Sequence, residues 1–449
     1  MRSIYLALNI LLIPFSQAIS ADLPTASSQF EDLRSLPDRT REVEELRDAQ
    51  NGNLVIPTGV YRITSTIELN LKQEKSAIVR PESGPVTLIM DGPGPAIHIK
   101  GSHEGSASPK SFQPATWHER TPLVDGIEIV GNHPEAIGIA LEQCMQPTLS
   151  RVSVRWCKHG IHLVNRNRNV AISDVHLYEN SGIGLFLDDI NLHQINVSNS
   201  HISYNRGGGI VVRDGNVRNL QITGCDIEAN MPGDDSPTET ANILLDVAGS
   251  DGDRSRSIAE VAITGCTIQH SSNYGGAEFD QLAPGGANIR ILGKEIWPID
   301  SVTITGNVMS DTSLGVDIHT ATDITLTGNN FFAPNPDFLH ITDSKRVIVN
   351  GNTFNPRQFE RPGGIRLSNC DDCILSNNTF RALKADAGAI LIKDSRGISL
   401  NDNILSESRS GVRVQNSHRV MIKDWIVSGL PDGISHIFQD DASTVETGN

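Results

Sequence analysis

The segment "DITLTGNNF" at Asp323 is followed by "RVIVNGNTF" at Arg346, "CILSNNTF" at Cys373 and "ISLNDNIL" at Ile398. Each is a β-branched or aliphatic run, a turn of Gly, Asn or Asp, and then another apolar residue. Upstream the same unit reads "ITGNVM" at Ile304, "ITGCTI" at Ile263 and "ITGCDI" at Ile222, with weaker copies around Ser200, Val175, Val152 and Asn132. A last copy ends at Trp425. Most steps are about 20 to 26 residues, and two are about 41 because extra sequence is spliced in. A repeat of this length means a solenoid, propeller or array.

Within each unit the apolar residues alternate with period two, a strand signal rather than a helical one. One such unit cannot bury its own apolar face, so copies must stack. Three short strands per unit, joined by turns, make one coil. The expected fold is therefore all-β, a single right-handed parallel β-helix of about 12 or more coils. Gly and Asn punctuate the turns because they tolerate positive φ. The recurring Asn is expected to form an internal ladder, each amide bonding the next coil.

A chain of 449 residues could hold two or three domains, but the repeat argues for one solenoid. Residues 1–20 carry Arg2, an apolar run and Ala18-x-Ser20 before Ala21, the pattern of a secretory signal. A secreted or periplasmic product follows from it. Residues 21–51 read as a polar lead-in and an N-terminal capping helix, which would cover strand edges left open at the solenoid's end. The β-helix is expected over 52–437 and a polar tail over 438–449. Past the first residues no apolar stretch is long enough to span a bilayer.

The formal charge of −16 opposes nucleic acid and anionic membrane as partners. It leaves room for an acidic polysaccharide in a locally basic groove. Cys225 and Cys266 occupy one repeat position on adjacent coils, about 4.8 Å apart by strand spacing. That is within disulfide range, and equally the place of plain core thiols. Cys370 and Cys373 resemble half a zinc knuckle, but no second half follows.

"LVIPTGVYRI" from Leu54 resembles the entry strand of pectate-lyase-like β-helix proteins, in which an aliphatic-aliphatic-x-Pro-x-Gly-x-Tyr motif begins the first coil. The later units resemble the same superfamily, and the likeness covers nearly the whole chain after residue 20. It implies the fold, and a scaffold that hosts lyases, hydrolases, epimerases and tailspikes. Residues 101–121, 231–240, 248–257, 271–287 and 293–299 break the spacing and read as loops. The last four flank the second apolar alternation of their units, and long loops on rigid scaffolds are where function concentrates.

In that second alternation, positions two and four point inward, so positions three and five point outward. Position three gives the column Ala140, His162, Gly184, Val211, Leu244, Arg290, Asp317, His340, Arg366, Leu391 and Arg413. Position five gives Glu142, Val164, Phe186, Arg213, Asp246, Leu292, His319, Thr342, Ser368, Lys393 and Gln415. Arg290, Asp317, His340 and Arg366 thus fall on successive coils, with His319 beside Asp317. Arg213 and Asp246 are neighbours on earlier coils, and Tyr274 and Trp297 lie in flanking loops as candidate sugar-stacking faces.

This set suits β-elimination at a uronic acid, which needs a cation for the carboxylate, a base for the C5 proton and an acid for the leaving oxygen. Arg290 or Arg366 fits the first role, His340 or His319 the proton transfer, and Asp317 could orient a histidine or bind a metal. The expected catalytic set is Arg290, Asp317, His319, His340 and Arg366, with Arg213, Asp246, Tyr274 and Trp297 binding substrate. No three Asp residues cluster on adjacent coils, so no metal and no obligatory Ca²⁺ is expected.

A uronate C5-epimerase would share the proton abstraction. A hydrolase needs two carboxyl groups at most about 9.5 Å apart, whereas Asp317 and Asp246 are about 12 Å apart by strand spacing. The loop carboxylates Glu278, Asp280, Asp234 and Asp235 could supply one. Of the signatures the resemblance implies for polygalacturonase-type hydrolases, Asp188-Asp189 is the clear echo, and "KHGIHL" at Lys158 stands in the wrong order. A non-catalytic glycan-binding or adhesin solenoid is a further reading, and the fold suits a monomer or a homotrimer.

Overall fold

A computed structural model describes residues 34–448, except 49–50, 75, 107, 109, 111–113, 231–239, 250–255, 271–282, 334–335 and 358–360, with the backbone alone for 283–285. The chain is a parallel β-solenoid, each coil pairing with the coils before and after it. One face is a 14-stranded parallel sheet running from Gly59–Ile63 to Ile426–Ser428. The other two faces are also parallel. They merge where the strands His159–Ser173 and Ile183–Ser198 run on around the corner between them, with a register shift after Val164.

Inward-facing side chains stack in columns. Phe331, Phe354 and Phe380 on successive coils form one, with ring centroids 4.7 and 5.1 Å apart, and the Trp425 ring, two coils on, stacks 6.2 Å from Phe380. The predicted asparagine ladder is present. Asn307 Nδ2 donates to Asn329 Oδ1 (3.0 Å), Asn329 to Asn352 (2.9 Å), Asn352 to Asn378 (3.0 Å) and Asn378 to Asn403 (3.1 Å). The glycines before this Asn, such as Gly306, Gly328 and Gly351, have φ of 64–66°. Nothing lies within 4 Å of a Cβ placed there, so the backbone conformation favours glycine, not lack of space.

A second ladder was not anticipated. It runs through Asn180, Asn205, Asn230, Asn242 and Asn288, each amide bonding the next at 2.7–3.0 Å. Its members sit in varied contexts ("YENSG", "SYNRG", "TANIL"), so no shared motif marks them. A hydroxyl column through Ser395, Ser417 and Ser443 takes Cys370 as one rung, its N–H bonding Ser395 Oγ at 3.0 Å.

Several expectations need correction. The helix spans only Thr40–Glu45, although its Val43 is fully buried in the main core. Residues 438–448 are not a tail outside the fold. The strands Ile437–Gln439 and Val445–Thr447 pair with Val412–Gln415 and Val420–Lys423, because Val412, Val414, Val420 and Ile422 leave strand edges to be covered. The loop at 101–121 contains a 3₁₀ turn, Pro114–Glu119, whose buried Glu119 accepts the Ser102 N–H and hydroxyl. Of the two readings left open for Cys225 and Cys266, the structure has the plain core thiols, since all six cysteines are buried and free. The signal segment and the lead-in up to residue 33 lie outside the described residues.

Candidate active site

One coil of the outward columns is out of register with the sequence reading. His162 pairs with Phe186 and Val164 with Asp188. Aligning "GIGLFL" on its Gly-Ile placed Gly184 and Phe186 two residues too early. The columns therefore run His162, Phe186, Val211, Leu244, Arg290, Asp317, His340, Arg366 and Val164, Asp188, Arg213, Asp246, Leu292, His319, Thr342, Ser368. Phe186, Val211 and Leu244 are buried in a small apolar cluster on the outside of the sheet. The polar centre begins after it.

That centre is built on the adjacent strands Thr312–His319 and Asp337–Thr342, in which Asp317 pairs with His340 and His319 with Thr342. His319 Nε2 lies 2.8 Å and His340 Nδ1 2.9 Å from the same Asp317 oxygen, Oδ1. Arg290 Nε donates to the other oxygen, Oδ2, at 2.8 Å. An ionised carboxylate only accepts, so both imidazoles carry their protons on the atoms facing it. The Thr342 hydroxyl then donates to His319 Nδ1, at 2.5 Å.

Asp317 and Arg290 are almost fully buried, with side chains 4% and 2% exposed, whereas the two imidazoles are about one-third exposed. Burial pushes the Asp317 carboxyl up. The hydrogen bonds from His319 and His340 and the charge of Arg290 outweigh it, and hold the carboxyl well below the usual range. The hydrogen bond to Asp317 raises His340 above an ordinary imidazole, against its own burial.

Of the nine predicted residues, four converge: Arg290, Asp317, His319 and His340. Arg366 stands one coil further on and is committed elsewhere. Its Nε lies 3.1 Å from Asp337 Oδ1, and its NH1 donates to the Gly388 carbonyl at 2.7 Å. Neither Arg290 nor Arg366 is therefore free to clamp a substrate carboxylate. Arg213 and Asp246 form a loose pair at 3.8 Å, with Arg213 three coil steps from His319, about 14 Å by strand spacing. Trp297 is half-buried and packs its ring against the main core rather than standing free. Tyr274, Glu278, Asp280, Asp234 and Asp235 lie outside the described residues.

Besides Thr342, which the outward column held without a role, two residues of the centre were missed. Asp337, half-buried beside His340, has its carboxyl pushed up by burial despite Arg366. Gly364 makes room for that ion pair, since a Cβ there would come within 2.3 Å of Asp337 Oδ1 and 2.4 Å of an Arg366 guanidinium nitrogen. The usable signal was Asp337 at three residues before His340, a position hidden because the sequence "FFAPNPDF" departs from the repeat. A cleft of about 530 Å³ lies on the earlier coils, lined by Arg166, Asp188, Asp189, Asn165, Asn191 and Gln143. There His162 Nε2 sits 3.0 Å from Asp188.

A family model described as a right-handed β-helix region matches residues 118–245 and 252–424, more than half of the chain. The chain belongs to the right-handed β-helix family. No curated protein sequence matches it. Among solved right-handed β-helices it is similar to the A-module of the mannuronan C-5 epimerase AlgE4 of Azotobacter vinelandii. That match has 14% identity over 92% of this chain and 96% of that one, with a TM-score of 0.41. The tailspike protein of the E. coli bacteriophage HK620, in complex with a pentasaccharide, gives 11% identity, 90% and 77% coverage and a TM-score of 0.44. The catalytic unit of a GH87 α-1,3-glucanase of Streptomyces thermodiastaticus gives 12%, 92%, 66% and 0.36. At these identities the likeness is one of fold.

Proposed function

We propose that this right-handed β-helix is an exported protein that acts on an acidic polysaccharide by β-elimination at a uronic acid residue. The supporting observation is the convergence of two imidazoles on one buried carboxylate oxygen. His319 has both ring nitrogens engaged, by Asp317 and by Thr342. His340 is held at Nδ1 alone, and its Nε2 has no hydrogen bond among the described residues. His340 is thus the proton-transfer group, acting through Nε2. Asp317 fixes its ring and tautomer, as an orienting carboxylate does in other acid–base centres. Arg290, His319 and Thr342 are positioning residues, because each acts through Asp317 or through the other imidazole.

A hydrolase reading fares worse. Asp317 is locked in an ion pair and holds two further hydrogen bonds, so it is a poor nucleophile or acid. A C5-epimerase would use the same first proton step and differ only in reprotonating the sugar from the opposite face.

The test is turnover of acidic polysaccharides by His340→Gln beside the wild type. A loss of about 100-fold or more, with the fold intact, is expected for removal of the proton-transfer group. Wild-type rates would overturn the assignment.

A further inference from the structure

Among the described residues neither Arg290 nor Arg366 offers the centre a free guanidinium for a substrate carboxylate, yet three of its groups converge in another sense. Asp317 Oδ1, His319 Nε2 and His340 Nδ1 all lie within 4.8 Å of one another. We propose that these three atoms bind one divalent transition ion of the Zn²⁺ class. The proposal rests on the reading above for what the ion does, and not for whether it binds.

The distances are close to what such an ion needs. Donor atoms held 2.0–2.1 Å from a tetrahedral ion are about 3.4 Å apart. The two imidazole nitrogens lie 2.8 and 2.9 Å from the carboxylate oxygen, so each pair must open by only about half an ångström, a small side-chain rotation. The strands beneath are paired in register. No proton need leave the protein. His319 moves its proton from Nε2 to Nδ1, where the Thr342 oxygen accepts it. His340 moves its proton from Nδ1 to Nε2, on the open side. Each freed lone pair then faces the ion.

The surrounding contacts are those of a ligand set. Metal-bound histidines nearly always donate their second nitrogen to a fixed acceptor, and metal-bound carboxylates are themselves hydrogen-bonded. Thr342 stands at the far nitrogen of His319, and Arg290 holds the far oxygen of Asp317. A bare acid–base pair would need no second imidazole tethered at both ends.

The donor set also selects the ion. Ca²⁺ and Mg²⁺ take six or more oxygen ligands. Here one carboxylate, half neutralised by Arg290, stands with two imidazoles, which suits Zn²⁺ and its neighbours. The two imidazoles are partly exposed, so the remaining coordination positions face outward, where a uronate carboxylate could occupy them. The ion would take the place of the guanidinium that Arg290 and Arg366 cannot offer, and His340, its proton now on Nε2, would serve the leaving oxygen as an acid rather than the C5 proton as a base.

The full chain is stripped with chelator and titrated with Zn²⁺ by calorimetry and with Co²⁺ by visible absorption. One ion per chain, with Co²⁺ bands of low coordination number, is expected. His319→Ala and His340→Ala should each weaken binding by at least 100-fold, and Thr342→Val by about 10-fold. Because Thr342→Val keeps the side chain's shape, it tests the site even if a histidine variant misfolds. No uptake, or uptake unchanged in the double histidine variant, would overturn the proposal. Full polysaccharide turnover by the stripped protein would overturn the ion's role and leave the acid–base reading standing. Stoichiometric uptake without turnover of any polysaccharide would keep the site and overturn that reading instead.

Discussion

Arg290 and Asp317 form an ion pair on the outer face of the sheet that is nonetheless buried, Nε to Oδ2 at 2.8 Å, with 2% and 4% of their side chains exposed. Removing one partner leaves a desolvated charge, which typically costs about 3–5 kcal/mol. Arg290→Met should therefore lower unfolding stability by about that much in urea titration. The double variant Arg290→Met, Asp317→Leu should recover most of it, since an apolar pair of similar volume leaves no charge behind. Equal destabilisation in the single and double variants would count against the buried pair.

Gly364 is the second pressure point. A methyl group there collides with both Asp337 and Arg366. Gly364→Ala is expected to destabilise by about 1–3 kcal/mol, as overpacking does. Arg366→Ala alone should leave the folded strand in place. A thermal melt distinguishes them, and a neutral Gly364→Ala would show that the ion pair has room to move.

The ladders should behave as continuous structures. Asn352 Oδ1 accepts from the Asn329 backbone and amide, and Asn352 Nδ2 donates to Leu326 O and Asn378 Oδ1. Asn352→Ala orphans several of these buried groups and should cost about 2–3 kcal/mol. Phe354→Ala, in the middle of the aromatic stack, should cost about 3–5 kcal/mol. Chemical denaturation measures both, and near-neutral values would show that neighbouring coils relax into the gaps.

Acid should weaken the earlier coils first. Burial drives the His159 imidazole down to about 4, helped by His162 and Lys158 and opposed by Asp188 and Glu135. Its folded value lies below its unfolded value near 6.5. The unfolded chain therefore takes up a proton that the folded chain refuses, and stability falls as pH drops from 6.5 toward 4. His159 should account for a loss on the order of 1–3 kcal/mol across that window. His159→Gln, measured by denaturant unfolding at pH 7 and pH 5, should flatten the dependence. An unchanged slope would assign the acid sensitivity elsewhere.

The fold was legible because stacking forces the same short motif at every coil. The Gly-Asn turns fixed one ladder, and the period-two alternation fixed which residues face out. What failed was local. One coil carries "GIG" two residues before its expected place, so counting from the motif moved Phe186 and Asp188 out of their columns. The second asparagine ladder escaped because its members share no flanking motif, and because it passes from Asn230 to Asn242, a different position on the same coil. In the site, the column Arg290, Asp317, His340 could be read from spacing alone. That Arg366 is committed elsewhere could not, because that depends on Asp337 and Gly364, which follow a stretch that departs from the repeat.

The most direct test of the central claim is ultraviolet absorbance during incubation of the purified protein with a panel of acidic polysaccharides. Elimination leaves a double bond conjugated with the uronate carboxylate, so absorbance should rise steadily with at least one polymer and stay flat with His340→Gln. A flat trace with every polymer, from folded wild-type protein supplied with Zn²⁺, would contradict it.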